Sequence, residues 1–455
     1  KALLWHGRTL MGEMLGDHLA AFDYLRGRDD VDAGRIAALG LSMGATHAYF
    51  LGALEPRAAT ADLHDGEHQD HDEHQHDVHR ASFALAASHG RGGDRAEAAH
   101  YRSVDALEDE DHMGTEHVLA IDLGTGGPKA ALVTPEGRIT AHEFEPTPLE
   151  LLGEGGAEQD PDGWWAAITA AVRRLLGAGH VTPEDVVAVS VTSQWSGTVA
   201  VDAAGKHLYP AVIWMDSRGA PYVEDLVTGK LNVAGYDAFK LKAWIQKTGG
   251  IPSHSGKDPL GHILWLRHHQ PDVYRAAAKF REPCDYLNAR LTGRICASYD
   301  SITAHWLTDN RNLTDVRYDP QLLGWCGLTE QQLPELVPSA SVTGTLLPAV
   351  AEEWGLTPAT QVVTATGDVH SAVVGSGALG DFEGHLYMGT SSWLSCHLPT
   401  KRTDLLNNQA SLPSAVPGRY FLANEHEVGG GALLWLRDQA QMIRDVDEAN
   451  ELAAA

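Results

Sequence analysis

The sequence predicts an α/β protein whose main part consists of two related domains around a cleft. Three observations carry that expectation. Three strand-like runs joined by short turns precede the first helix, between residues 118 and 143. That helix is followed by a buried, β-branched run, Val186–Val191. Finally, LAIDLGTGGPKAALV has a partner 265 residues further on in HLYMGTSSWLSCHL, so that Gly124-Thr125-Gly126 matches Gly389-Thr390-Ser391.

The elements follow in order. Val118–Ile121 and Lys129–Val133 read as short strands, Pro135-Glu136-Gly137 is turn chemistry, and Arg138–Glu143 alternates as a third strand. Asp160 caps a helix with Pro161 at its first position and Gly177 beyond its end. Trp164, Trp165, Ile168, Val172, Leu175 and Leu176 give it one apolar face. A dinucleotide-binding unit passes straight from its first strand to a helix. Three hairpin-joined strands before the first helix suit instead the ribonuclease H-like, actin-like ATPase fold. The two matching turns are small and hydroxyl-bearing, so their backbone N–H groups can face an anion and their glycines let a phosphate approach closely. Singly, each reads equally well as an ordinary hairpin. Together they predict two domains facing across a nucleotide cleft.

Composition limits the function classes. The 455 residues allow about three domains at roughly 150 residues each. Net charge is 34 − 61 = −27, which excludes a nucleic-acid partner held by basic patches. No apolar run approaches the ~18 residues of a membrane span, and no signal peptide opens the chain. Cys284, Cys296, Cys326 and Cys396 are widely spaced and lack a CxxC pair, as expected of reduced cytoplasmic thiols. The chain opens on Lys1, so a start further upstream is expected, with Met113 as an alternative one.

Charge divides the chain. Residues 58–112 hold 14 acids against 4 bases, and LHDGEHQDHDEHQHDVHR within them carries six histidines and almost nothing apolar. Such a segment buries too little surface to offset its ordering entropy, so residues 58–112 are expected to be a disordered linker. Imidazoles and carboxylates also bind zinc or nickel, but the irregular spacing of His64–His79 supplies no frame for a site. Before the linker, residues 1–57 contain the run Arg35–Leu41 and then Gly40-Leu41-Ser42-Met43-Gly44, a G-x-S-x-G elbow. This segment resembles the dienelactone-hydrolase and acetyl-esterase branch of the α/β-hydrolases, with Ser42 at the nucleophile position. That resemblance implies a serine esterase as the alternative function. The acid and histidine of such a triad should follow on later strands of the same sheet, and here the linker follows instead. Residues 1–57 are therefore expected to be a partial, chemically silent hydrolase segment.

From Met113 a denser set of motifs begins. DLGTGGPK, GGAEQDPDGWW, SVTSQWSGTV, IWMDSRG, LWLRHHQPDVY, DYLNARLTG, LPELVPSASVTG, TATGDVHSAVVGSGALG and MGTSSWLS occur in order. Together they resemble the FGGY carbohydrate kinases, in the manner of xylulokinases, from about His117 to the end. The resemblance implies a sugar-binding N-terminal domain over 113–375 and an incomplete C-terminal domain over 376–455. It implies ATP-dependent phosphorylation of a sugar or polyol hydroxyl with Mg²⁺, in the cytoplasm, with a homodimer left open. Because the second domain stops at Ala455, soon after Gly429-Gly430-Gly431, this chain is expected to be weak or inactive as a catalyst.

The same resemblance assigns roles. Asp368 is the general base that takes the sugar hydroxyl proton; by position alone it suits a helix N-cap equally well. Asp122, and with it Asp368, lies beside the Mg²⁺, through waters as that ion prefers. Gly124, Thr125, Gly126, Lys129, Gly389, Thr390 and Ser391 cradle the phosphates, with Lys129 alternatively a solvated lysine. Gln194 and Trp195 contact the sugar, or Trp195 packs in the core. Asp216 and Arg218 form a pair that shapes the pocket. Xylulokinases commonly show Gln-Met-His where this chain has Gln194-Trp195-Ser196, which leaves the sugar itself open. Two decoys carry nothing: Gly375–Gly380 matches G-x-G-x-x-G but precedes a strand, and Gly256-Lys257 is followed by Asp258, so no phosphate-binding loop of the Walker type is present.

Overall fold

The computed structural model describes residues 116–388, 392–404, 407, 409–426 and 437, with two short strand segments at 37–40 and 59–60. The elbow at Ser42, the histidine-rich stretch 63–80 and the turn Gly389-Thr390-Ser391 lie outside the described residues. The chain divides into two compact units, with a break between Ala372 and Val373.

The first unit is built on a seven-stranded mixed sheet. Strands β1 (His117–Gly124), β2 (Gly127–Val133) and β3 (Ile139–Phe144) form an antiparallel meander. Strand β4 (Val186–Ser193) lies parallel to β1 on its other side. Beyond β4 come β6 (Gln361–Val363) and, at the edge, β5 (Val342–Thr345), while β7 (Thr366–Gly367) pairs in parallel with the end of β4. This is the three-strand opening that the turn chemistry predicts. The strands outrun their sequence limits because β1 is hydrogen-bonded on both sides up to the Gly124–Gly127 turn. The expected strand Gln361–Thr366 is broken, since Thr364 donates its N–H to Ser341 before β7 rejoins β4.

Helix α1 (Pro161–Gly177) begins where expected: the Asp160 carboxylate accepts the N–H groups of Asp162 and Gly163 at 3.0 and 3.1 Å. Its end is corrected by one residue. Gly177 is the last helical residue, Ala178 continues in right-handed backbone, and the left-handed residue is Gly179 at φ +76°. Trp164, Ile168, Val172 and Leu175 are buried against Leu119, Ile121 and Leu123 of β1, and Trp165 and Leu176 pack at the margin. The core so formed holds β1 and β4 rigidly from below.

Helices α2 (Ala220–Val227) and α3 (Pro259–His269) meet through glycine. A Cβ on Gly219 would lie 2.5 Å from the Gly261 carbonyl carbon, and one on Gly261 would lie 2.4 Å from the Gly256 oxygen. The contact is backbone against backbone, so no side chain can yield. It anchors the segment Asp216–Arg218 and the loop at Lys257, both of which return below.

The second unit carries an antiparallel sheet in the order β8 (His385–Met388), β9 (Ser392–Leu398), β11 (Tyr420–His426) and β10 (Gln409–Pro413). The segment Ala37–Gly40 pairs in parallel with β8. β8 and β9 are the two strands that flank the second matching turn, as β1 and β2 flank the first. Gly375–Gly380 is indeed followed by a strand. Among the described residues no helix is long and apolar enough to cross a membrane, and no group of three or more metal-ligating side chains occurs.

Gly261→Ala is expected to destabilise the first unit by about 1–3 kcal/mol through overpacking. A fall in the urea midpoint at constant m-value checks this; an unchanged midpoint would mean that the helix contact is soft.

Candidate active site

Three parallel strand ends lie side by side and set the site. Asp122 of β1 is level with Thr192 of β4, and Thr192 with Thr366 of β7. The residues that leave these strands at their carboxyl ends are therefore neighbours: Gly124-Thr125-Gly126, Gln194-Trp195-Ser196 and Asp368. Carboxyl ends of parallel strands are where open α/β sheets bind ligands, because the chain there turns away and leaves a crevice.

Asp368 opens helix α4 (Asp368–Gly375), and its Oδ1 accepts the Val369 N–H at 2.8 Å. Burial and the nearby Asp122 carboxylate push its pKa up to about 7, against the N–H groups of Val369 and Trp195 and the Lys129 ammonium. Lys129, level with Asp122 across the β1–β2 ladder, places Nζ 3.1 Å from Asp122 Oδ2. The structure thus brings Asp122, Lys129 and Asp368 together, with the lysine partnered by a carboxylate.

Thr125 is turned inward. Its hydroxyl donates to Gln194 Oε1 at 3.1 Å and accepts from Trp214 Nε1 at 3.0 Å. Gln194, 2% exposed, donates through Nε2 to Gln159 Oε1 at 2.7 Å. Gln159 donates to the carbonyls of Thr125 at 2.8 Å and Pro148 at 3.1 Å. Trp214 and Gln159 are site residues that sequence motifs alone did not single out. The sequence carries no local signal for Gln159, whose strand Gly156–Gln159 is buried at every position in the structure. Beside them, no atom of the described residues lies within 4 Å of a Cβ built on Gly126, so among these residues the outer face of the turn is open.

Trp195 is braced by three groups. Its Nε1 donates to the Ser301 carbonyl at 3.3 Å, its ring meets His370 edge-on at 5.4 Å, and it lies against Gly367, where a Cβ would come within 2.9 Å. Ser196 adopts φ +67° and donates its hydroxyl to the Lys257 carbonyl at 3.1 Å. Gly197 N–H donates to Glu282 Oε2 at 3.0 Å. Glu282, His262 and His305 behind this loop are fully buried. Burial raises the Glu282 pKa and lowers those of His262 and His305 to about 4 and about 3. The two imidazoles of this wall are therefore neutral near pH 7, and burial disfavours the charged form of Glu282 as well.

Asp216 and Arg218 form a closed pair. Asp216 accepts the N–H groups of Ala157 and Arg218 at 2.9 and 3.0 Å, and the Arg218 guanidinium spans Asp216 Oδ2 and Glu158 Oε1, both at 2.5 Å. Arg218 also stacks over Trp265 at 3.7 Å. The Asp216 carboxylate is thus fully occupied by protein donors. Gly389, Thr390 and Ser391, the remaining residues expected at the phosphates, lie outside the described residues.

Comparisons with known proteins agree with this geometry. Residues 117–375 match the model of the N-terminal domain of the FGGY family of carbohydrate kinases. The chain is 31% identical over 284 residues to a xylulose kinase of Escherichia coli, covering 60% of this chain and 52% of that protein. It therefore spans about half the length of the curated relatives it matches. Among solved structures, a gluconate kinase from Lactobacillus acidophilus superposes with TM-score 0.63 at 21% identity, over 71% of this chain and 62% of that one. A xylulose kinase from Rhodospirillum rubrum superposes with TM-score 0.62 at 23% identity, over 74% and 65%. At these identities the structures establish the actin-like ATPase fold.

The raised pKa of Asp368 has a consequence for stability. Its folded pKa of about 7 exceeds the ordinary 3.8, so the folded chain holds a proton that the unfolded chain releases, and stability falls as pH rises from about 4 to 7. Asp368→Asn removes the ionisation. It is expected to stabilise the protein at pH 8 by on the order of 1–3 kcal/mol, a gain that vanishes as pH falls toward 4. Thermal denaturation of both proteins across that range checks it, and a variant less stable at pH 8 would contradict it.

Proposed function

The chain belongs to the FGGY family of carbohydrate kinases, and on that premise we propose that it binds a sugar or polyol and phosphorylates one hydroxyl with ATP. The observation that carries the proposal is Asp368: a carboxyl whose pKa of about 7 leaves it partly ionised near neutrality, at the meeting of three strand ends. A general base works best with a pKa near the operating pH. In this reading Asp368 accepts the hydroxyl proton as the sugar oxygen bonds to the γ-phosphorus and the bond to the ADP oxygen breaks.

Asp122 and Asp368 are close enough that one raises the pKa of the other. Two adjacent carboxylates with solvent access suit Mg²⁺, which takes one or two carboxylates and completes its shell with water and phosphate oxygens. These residues would hold it, and the ion would offset charge on the phosphates. Lys129 is within reach of the same place. The open face at Gly126 supports close approach of a phosphate to the Gly124–Gly126 turn. In this reading Gln194 meets a polyol hydroxyl through the second hydrogen of its amino group, and the half-buried Trp214 ring flanks the sugar, its own N–H being given to Thr125. Trp195-Ser196, backed by the neutral imidazoles of His262 and His305, suits a neutral polyol or sugar chain as acceptor, with D-xylulose the first to test. On this reading the protein works in the cytoplasm, where ATP is supplied and its four buried cysteines stay reduced.

The full chain with MgATP and D-xylulose is expected to release ADP slowly and only in the presence of sugar, at a rate that rises with pH through about 7 as Asp368 ionises. Asp368→Asn should lower that rate by about 10²–10⁴-fold. Binding is read separately by thermal shift, since a ligand at ~100 times its Kd adds about 2.7 kcal/mol. Sugar-independent ADP release that survives Asp368→Asn would defeat the proposal.

A further inference from the structure

Three of the bonds at the site close on themselves. Thr125 Oγ1 donates to Gln194 Oε1, Gln194 Nε2 donates to Gln159 Oε1, and Gln159 Nε2 returns to the Thr125 carbonyl. Thr125 therefore stands at both ends of one ring, its hydroxyl on the side of Gln194 and its carbonyl in the turn. The direction of the ring is dictated by chemistry. The Thr125 and Pro148 carbonyls only accept, so both must face the Gln159 amino group, and Oε1 is left toward Gln194. Gln194 must then present Nε2 to Gln159 and Oε1 to Thr125, and the Thr125 hydroxyl, its proton used, can only accept from Trp214 Nε1. Gln159 and Gln194 are 1% and 2% exposed, so no water competes for these bonds, and flipping either amide would set like groups against each other.

Gln159 touches neither an open face nor the crevice, yet it decides which atom of Gln194 and which lone pair of Thr125 can be used there. We infer that Gln159 is a positioning residue that couples the sugar-binding Gln194 and Trp214 to the Gly124–Gly126 phosphate turn, so that a hydroxyl ligand on one side stiffens the anion-binding backbone on the other. The inference rests on the kinase reading above. It names a residue and a route which that reading does not contain.

The test uses the full chain and four variants. Gln159→Met keeps the volume and removes the two ring bonds that Gln159 makes, leaving the one between Thr125 and Gln194; Thr125→Val keeps the shape and removes the hydroxyl. The double variant joins them. Trp164→Phe removes the side bond from Trp164 Nε1 to Gln159 Oε1, 3.3 Å long, and leaves the ring intact. Kd values for D-xylulose, glycerol and gluconate are measured alone and with MgATP, together with hydrogen exchange of the amides at 124–127. In the wild type, the sugar that binds should tighten MgATP about 5–50-fold and slow exchange in the turn. Gln159→Met should weaken that sugar about 5–30-fold, abolish its effect on MgATP, and speed exchange in the turn about tenfold. The double variant should be no worse than the worse single one, because one broken bond already opens the ring. Trp164→Phe should lower Tm and leave both affinities and the coupling in place. A wild type that binds none of the three sugars overturns the kinase reading and this role with it. A wild type whose sugar tightens MgATP equally in Gln159→Met overturns the role of Gln159 alone, as does strict additivity of the two variants.

Discussion

The site depends on the register between three parallel strand ends. Asp122 beside Thr192 beside Thr366 leaves no freedom in where the next residues emerge. Two consequences follow without further design. Asp122 and Asp368 come within electrostatic reach of each other, and Lys129, one ladder position across, is the cation that balances them. A one-residue slip of β4 would reverse its buried and exposed faces and carry Gln194 out of the crevice, so the hydrophobic core under α1 enforces the chemistry above it.

The second constraint is polar satisfaction behind the crevice. Asp216, Arg218 and Glu158 close on one another, and Arg218 adds a cation–π contact with Trp265. Asp285, also buried, is pushed up to about 8 by burial and accepts from Ser301, the residue whose carbonyl holds Trp195. Near neutral pH these groups are neutral or paired. A wall of that kind costs little to keep dry and holds Trp195 and Ser196 rigidly. Its rigidity is shared with the glycine contact of α2 and α3, which fixes the ends of both segments that reach the site.

Much of this was legible in the chain. The hairpin opening, the capped α1 and the paired turn sequences follow from turn chemistry and spacing, and the structure has all the strands that flank both turns. Residue type also brought Asp122, Lys129, Gln194 and Asp368 to one place. What spacing could not decide is which of two partners within reach a side chain takes. Thr125 and Lys129 read as phosphate groups, yet the structure gives the hydroxyl to Gln194 and Trp214 and the ammonium to Asp122. Gln159 escaped notice because a buried polar residue in a short strand has no local signature; its importance lies in three contacts 11 to 35 residues away. Helix α1 runs one residue further than its sequence pattern predicts, because Gly177 is followed by a right-handed alanine.

The partner choices of Thr125 and Lys129 bear on how such a site handles charge. With the Thr125 hydroxyl given to Gln194 and Trp214, the polar groups the Gly124–Gly126 turn still presents are those of its backbone, whose N–H groups carry no titratable charge. An ammonium held on Asp122 keeps that carboxylate from raising Asp368 further. The β1–β2 ladder holds the Lys129 backbone level with Asp122, so a single ammonium acts on both carboxyl groups, pairing with Asp122 and lowering the proton affinity of Asp368 against the rise that burial and Asp122 impose.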